Sequence, residues 1–209
     1  MMKQDILAYF RKNPGIFIFM TLVIIAGVAC GALLVRFLDE EPLQEITVTL
    51  NYFFTDLKEE ENNILAAPEL LRVSYYRNGA LLLLIWAFGF FPAGFYLVPI
   101  VLFLKGLSLG FTVGIVIYRY SLKGFLFSLA AVLPHNLFFV PAYIMAGSFA
   151  FAYSLYLFNR RLPRLSLKKD PFIVQYCLFM AVAVFTALIG GLFEAYITPV
   201  FIRLVLPVL

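Results

Sequence analysis

Residues 132–143 read VLPHNLFFVPAY and hold the only histidine of the chain, His135, beside Asn136 and between Pro134 and Pro141. An imidazole can serve as a general base, a proton shuttle or a metal ligand. Each of these tasks needs companions. One histidine cannot form the HExxH zinc motif. Cys30 and Cys177 both fall within apolar runs and make neither a disulfide framework nor a metal set. Gly106-Leu107-Ser108-Leu109-Gly110 matches the GxSxG pattern on paper. That pattern acts from a strand-to-helix turn with a histidine base. Here it sits in a stretch that reads as a membrane helix, and nothing in the sequence brings His135 to Ser108. The sequence therefore assigns no catalytic, cofactor-binding or metal-binding residue, and the chain is expected not to be an enzyme.

Two uses remain for His135 and Asn136. A proline has no N–H to give its helix turn, and it disfavours helical geometry in the residue before it. His135 and Asn136 can supply hydrogen bonds to backbone groups left free there. Pro134, His135, Asn136 and Pro141 then form a helix-break polar cluster. The other use is a proton relay in a transport path, for which a lone histidine without an acid in the spans is poorly equipped.

The elements that carry these residues are apolar. Of the 209 residues, 63% are hydrophobic and 13% charged. A soluble domain has about 25% charged residues. A bilayer span needs roughly 20 apolar residues. The fold class expected is an all-α polytopic membrane protein, one integral membrane domain over 1–209, with about five transmembrane helices. The spans fall at about 15–37, from near Ala80 to a turn between Phe91 and Pro99, onward to about Tyr118, within 124–158, and at about 172–193. The first is expected to be an uncleaved anchor, since apolar residues continue past Cys30. A straight helix over 124–158 would be roughly 52 Å long, against a hydrocarbon core of about 30 Å. It must be broken, tilted or partly outside. If the turn before the third span lies at 91–95, Lys105 is well inside that span and needs a partner or a wet cavity.

Basic residues set the orientation. NRRLPRLSLKK, 159–169, is a short dense basic loop between two spans, and such loops stay cytoplasmic. The N-terminus is then inside and the C-terminus outside. The polar segment 38–78 is extracytoplasmic. Within it Pro42 opens a helix whose Leu43, Ile46, Leu50, Phe53 and Leu57 share one face, and Pro68-Glu69 opens a second. This amphipathic insertion either lies on the membrane surface or serves as a docking platform. The net charge of +4 is too scattered for nucleic acid.

Gly106, Gly110 and Gly114 recur every fourth residue and share a helix face; Gly27 and Gly31 repeat the device in the first span. Missing side chains let helix backbones approach closely in lipid. The face packs either within one subunit or between copies of the chain.

LFLKGLSLGFTVG at 102–114 and KGFLFSLAAVLPHNLFFVPAY at 123–143 closely resemble the stage II sporulation protein M family of endospore-forming bacteria. The resemblance covers essentially the whole chain and rests on the order and spacing of LKGxxxGFTVG and LPxNxxxxPAY. It implies a non-enzymatic membrane scaffold acting during engulfment. It also implies two peptidoglycan-degrading partners, the stage II sporulation proteins D and P, held at the septal and engulfing membrane. No partner-binding residue carries over. Broader relatives carry an acidic residue shortly before the second proline, where this chain has Phe139. The competing reading is a small membrane transporter or channel subunit. It would call for charges facing a cavity and a repeated pair of broken helices.

Overall fold

The computed structural model describes residues 14–39, 41, 43–48, 66–159 and 171–205. Among these residues the regular structure is all helix, with no strand. Helix α1 spans Gly15–Leu34 and ends in a 3₁₀ turn, Val35–Phe37. Helix α2 spans Ala66–Gly89. The run Gly94–Asn159 is helical by hydrogen bonding throughout, but Ser121 leaves helical dihedrals, with φ 50° and ψ −126°. It is therefore two helices, α3 over 94–120 and α4 over 122–159. Helix α5 spans Pro171–Leu192, passes through a π-helical segment, Phe193–Ile197, and continues as α6, Thr198–Val205.

Three stretches are long and apolar enough to cross a membrane: Gly15–Phe37, Gly94–Asn159 and Phe172–Ile202. The second folds back on itself. Phe95 N–H donates to Ser154 Oγ at 2.8 Å, and Ser154 Oγ donates to the Phe91 carbonyl at 2.6 Å. The Lys105 ammonium lies 5.3 Å from the centre of the Tyr143 ring. Nearer the bend, Gly124 packs so closely on Val116 that a Cβ there would strike its carbonyl. Rising numbers on α3 thus meet falling numbers on α4, which is an antiparallel hairpin. Ser121, the one non-glycine residue with positive φ among those described, makes the reversal.

The structure corrects the expected break at Pro134 and Pro141. Both prolines lie inside α4 without leaving helical geometry. A proline inside a helix removes one backbone bond and crowds the carbonyl four residues back, about 3 kcal/mol in water. In a membrane bundle, neighbouring helices and side chains offset that loss. At roughly 57 Å, α4 exceeds the hydrocarbon thickness, so it is tilted or extends beyond the core rather than breaking within it.

The turn before α3 occupies 90–93, at Phe90-Phe91-Pro92-Ala93. Lys105 is accordingly well inside α3. Pro68 and Glu69 lie in the first turn of α2, which runs unbroken to Gly89. Residues 43–48 are helical, with Leu43 and Ile46 half-buried, Thr47 buried and Gln44 and Glu45 exposed. Leu50, Phe53, Leu57 and 160–169 of the basic loop lie outside the described residues.

The core sits where α4 meets α1, α2, α3 and α5. Phe149 stacks on Phe179 at 4.0 Å between ring centres, Tyr153 on Tyr176 at 4.8 Å and Tyr156 on Phe172 at 4.4 Å. Such pairs contribute about 0.5–1.5 kcal/mol each beyond their buried area. The Tyr176 hydroxyl donates to the Trp86 carbonyl at 2.8 Å, which ties α5 to α2.

Candidate functional site

Two arrangements hold the bundle together, one made by absent side chains and one by polar side chains. The glycines form the first. A Cβ on Gly27 would run into the carbonyl of Phe103, and one on Gly31 into that of Leu107. From the other helix, a Cβ on Gly106 would meet the Ile24 carbonyl and one on Gly110 the Val28 carbonyl. Gly114 lies over Ala32 and Val35. All five glycines meet at one seam between α1 and α3 of the same chain. Backbone packs on backbone along roughly two turns, a contact no larger residue permits.

The second arrangement joins α2, α3, α4 and α5–α6 through polar groups. Glu194 sits in the π-helical segment. Such segments within α-helices are rare and often mark functional positions. Its Oε1 accepts from Arg77 Nη2 at 2.6 Å. Its Oε2 accepts from Ser74 Oγ at 2.5 Å and from Asn78 Nδ2 at 3.4 Å. Asn78 Nδ2 also donates to the Ser74 carbonyl at 3.0 Å. Asn78 Oδ1 accepts from the Tyr143 hydroxyl at 2.6 Å. Tyr143 is fully buried, with Ser74 and Asn78 nearly so. Its ring face carries the Lys105 ammonium, a cation–π contact. No described carboxylate lies within ion-pair distance of Lys105.

His135 joins the same end of the bundle, and its partners fix its tautomer. The Thr198 hydroxyl donates its single proton to the Phe193 carbonyl at 3.1 Å. It can therefore only accept from His135 Nδ1, 3.3 Å away. Asn136 Nδ2 gives one proton to the Val132 carbonyl at 2.7 Å and the other to His135 Nε2 at 3.0 Å. Nδ1 is the donor and Nε2 the acceptor, so the imidazole is neutral with both nitrogens satisfied.

The sequence-derived candidates divide accordingly. His135 and Asn136 are bonded to one another and to the start of α6. Pro134 and Pro141 are not points of helix breakage. Ser108 is exposed on α3, in a helix, and its carbonyl accepts from Thr112; both ring nitrogens of His135 are engaged elsewhere. Cys30 and Cys177 are free and exposed. No group of three His, Cys, Asp or Glu side chains that could hold a metal occurs among the described residues. Sequence reasoning missed Ser74, Arg77, Asn78, Tyr143 and Thr198, and Glu194, just past the span at about 172–193, reads in the sequence only as an acid near a membrane end. One signal was available: Glu194 is the one carboxylate within 15–37, 80–159 and 171–205.

No curated protein and no solved structure matches the chain. The family model described as Stage II sporulation protein M matches residues 20–199. That stretch contains the glycine seam, the hairpin and every residue of the polar network. This sporulation-related membrane protein belongs to the stage II sporulation protein M family.

Proposed function

We propose that the protein is a non-enzymatic membrane scaffold. It anchors peptidoglycan-degrading partners, resembling the stage II sporulation proteins D and P, at the septal and engulfing membrane during engulfment. The observation that carries this reading is the closure of the polar network. Both oxygens of Glu194 and Nδ1 of His135 are spent on bonds between helices, and His135 Nε2 is taken by Asn136 on its own helix. A general base or nucleophile needs a free reacting atom within hydrogen-bond reach of a substrate. In this reading the membrane carries five spans: α1, α2 with the turn that follows it, both arms of the hairpin, and α5–α6. The N-terminus is cytoplasmic, the C-terminus extracytoplasmic, and the segment between α1 and α2 faces the wall compartment, where such partners work.

Single cysteines at Asn62 and Ser166, in a chain lacking Cys30 and Cys177, test the orientation with a membrane-impermeant thiol reagent. Position 62 is expected to react in intact cells and position 166 only after lysis. The reverse pattern contradicts the proposed topology.

One observation favours a second reading, a transporter or channel subunit: Lys105, His135 and Glu194 come together between helices, and intramembrane ionisable groups often mark transport paths. Substitutions at His135 separate the two. For a structural histidine, His135→Asn and His135→Gln retain donors and acceptors and are expected to rescue engulfment in a strain lacking the protein. His135→Leu leaves one Asn136 N–H without its acceptor and the Thr198 hydroxyl oxygen without its donor, a loss of about 1–3 kcal/mol, and is expected to rescue poorly. A proton relay predicts equal failure of all three at normal protein level, since none exchanges a proton near neutral pH.

A further inference from the structure

The network holds two cationic side chains, Arg77 and Lys105, and one carboxylate, Glu194. The carboxylate is fully engaged. Arg77 takes one oxygen, and Ser74 with Asn78 takes the other. Lys105 is left half-buried with an aromatic face as its neighbour. No other acid occurs within 15–37, 80–159 or 171–205. Two cations thus share one carboxylate, and Lys105 is the one beyond ion-pair distance of it, so the network keeps one positive charge in excess; charged residues inside a membrane bundle pair with one another or line wet cavities.

We infer that Lys105 is a docking point for a carboxylate carried on the transmembrane helix of a partner. Charge complementarity sets the sign of the partner group, and depth sets its source. Lys105 lies roughly 17 Å along α3 from Gly94 and roughly 24 Å from Ser121, at 1.5 Å per residue. The hydrocarbon core is about 30 Å thick, so the ammonium is near its middle. A lipid phosphate or a soluble acidic peptide meets the membrane at its surface. An aspartate or glutamate within a spanning helix arrives at the right depth. Arg77 lies on the same network with its side chain 61% exposed. Tyr143 then has two tasks: its hydroxyl binds Asn78 and its ring positions the ammonium.

The inference rests on the scaffold reading for the existence of a membrane partner. Its test uses none of the sporulation proteins and so fails independently of that reading. The full chain is reconstituted in neutral phosphatidylcholine vesicles with fluorescent Leu-rich transmembrane peptides bearing a central Asp, Leu or Lys. Association is followed by energy transfer. The Asp peptide is expected to associate about tenfold more tightly than the Leu peptide, the size of a good polar contact between membrane helices. The Lys peptide gains nothing. The preference is expected to vanish in Lys105→Met and to persist in Lys105→Arg. Lys105→Gln, polar but uncharged, also loses it and serves if the Met variant fails to accumulate. Equal association of Asp and Leu peptides overturns the inference, as does an Asp preference that survives removal of the charge at Lys105. Loss of the preference when anionic phosphatidylglycerol is added overturns it too, because headgroups then reach the ammonium.

Discussion

Replacing Gly110 by leucine is expected to remove most of the protein from the membrane fraction. A Cβ at this position would lie 2.7 Å from Val28 Cα and would strike the Val28 carbonyl. The obstacle is backbone, so no side chain can turn aside. Overpacking a well-packed interior costs about 1–3 kcal/mol when neighbours relax. Here relaxation means moving α1 off α3, which also opens the contacts at Gly27, Gly31 and Gly106. Gly79→Ala is the control: a Cβ there meets nothing within 4 Å, and alanine is the better helix former by about 1 kcal/mol. Membrane-fraction level and the size of the detergent-solubilised particle are the readouts. A Gly110→Leu protein with normal level and parental size would contradict the seam.

Asn78→Leu carries the second large effect. Its amide joins three helices, since it donates within α2 and to Glu194 and accepts from Tyr143. Leucine leaves the Tyr143 hydroxyl buried without its acceptor and takes one donor from Glu194. A loss of about 1–3 kcal/mol is expected, the cost of an unsatisfied buried group. It is measured as a lowered unfolding midpoint in mixed micelles. Adding Tyr143→Phe removes the orphaned hydroxyl, so the double variant is expected to lose less than the two single losses combined. Full additivity would mean that the Asn78–Tyr143 bond contributes nothing.

The helical class and the glycine spacing were legible because both are periodic in one strand of text. Gly106, Gly110 and Gly114 announce a face; Gly27 and Gly31 announce another; that the two faces meet is a tertiary fact. The turn at 90–93 was only bracketed in the sequence, between Phe91 and Pro99, because Pro92 and Gly94 suit a turn while Lys105 suits the end of a span. The reversal at Ser121 falls in the gap between the span ending at about Tyr118 and the run from 124, though no turn residue marks it. Its neighbours are ordinary, and the backbone there is held in a conformation serine seldom adopts. Pro134 and Pro141 misled, because proline's effect on an isolated helix is local, whereas α4 is supported along its length by the helices around it. The polar network was the least legible. Ser74, Arg77 and Asn78 read as the polar end of an external helix, and Glu194 as an acid near a membrane edge. Only the path of α2 against the π-helical segment after Leu192 brings them together, and no short-range pattern encodes that segment.

Detergent-solubilised co-purification from sporulating cells, with mass spectrometry of what stays bound, tests the scaffold most directly. The full chain is expected to retain the stage II sporulation proteins D and P, and Gly110→Leu to lose them with the folded particle. An intact, parental-size particle that retains neither peptidoglycan-degrading protein would contradict the scaffold.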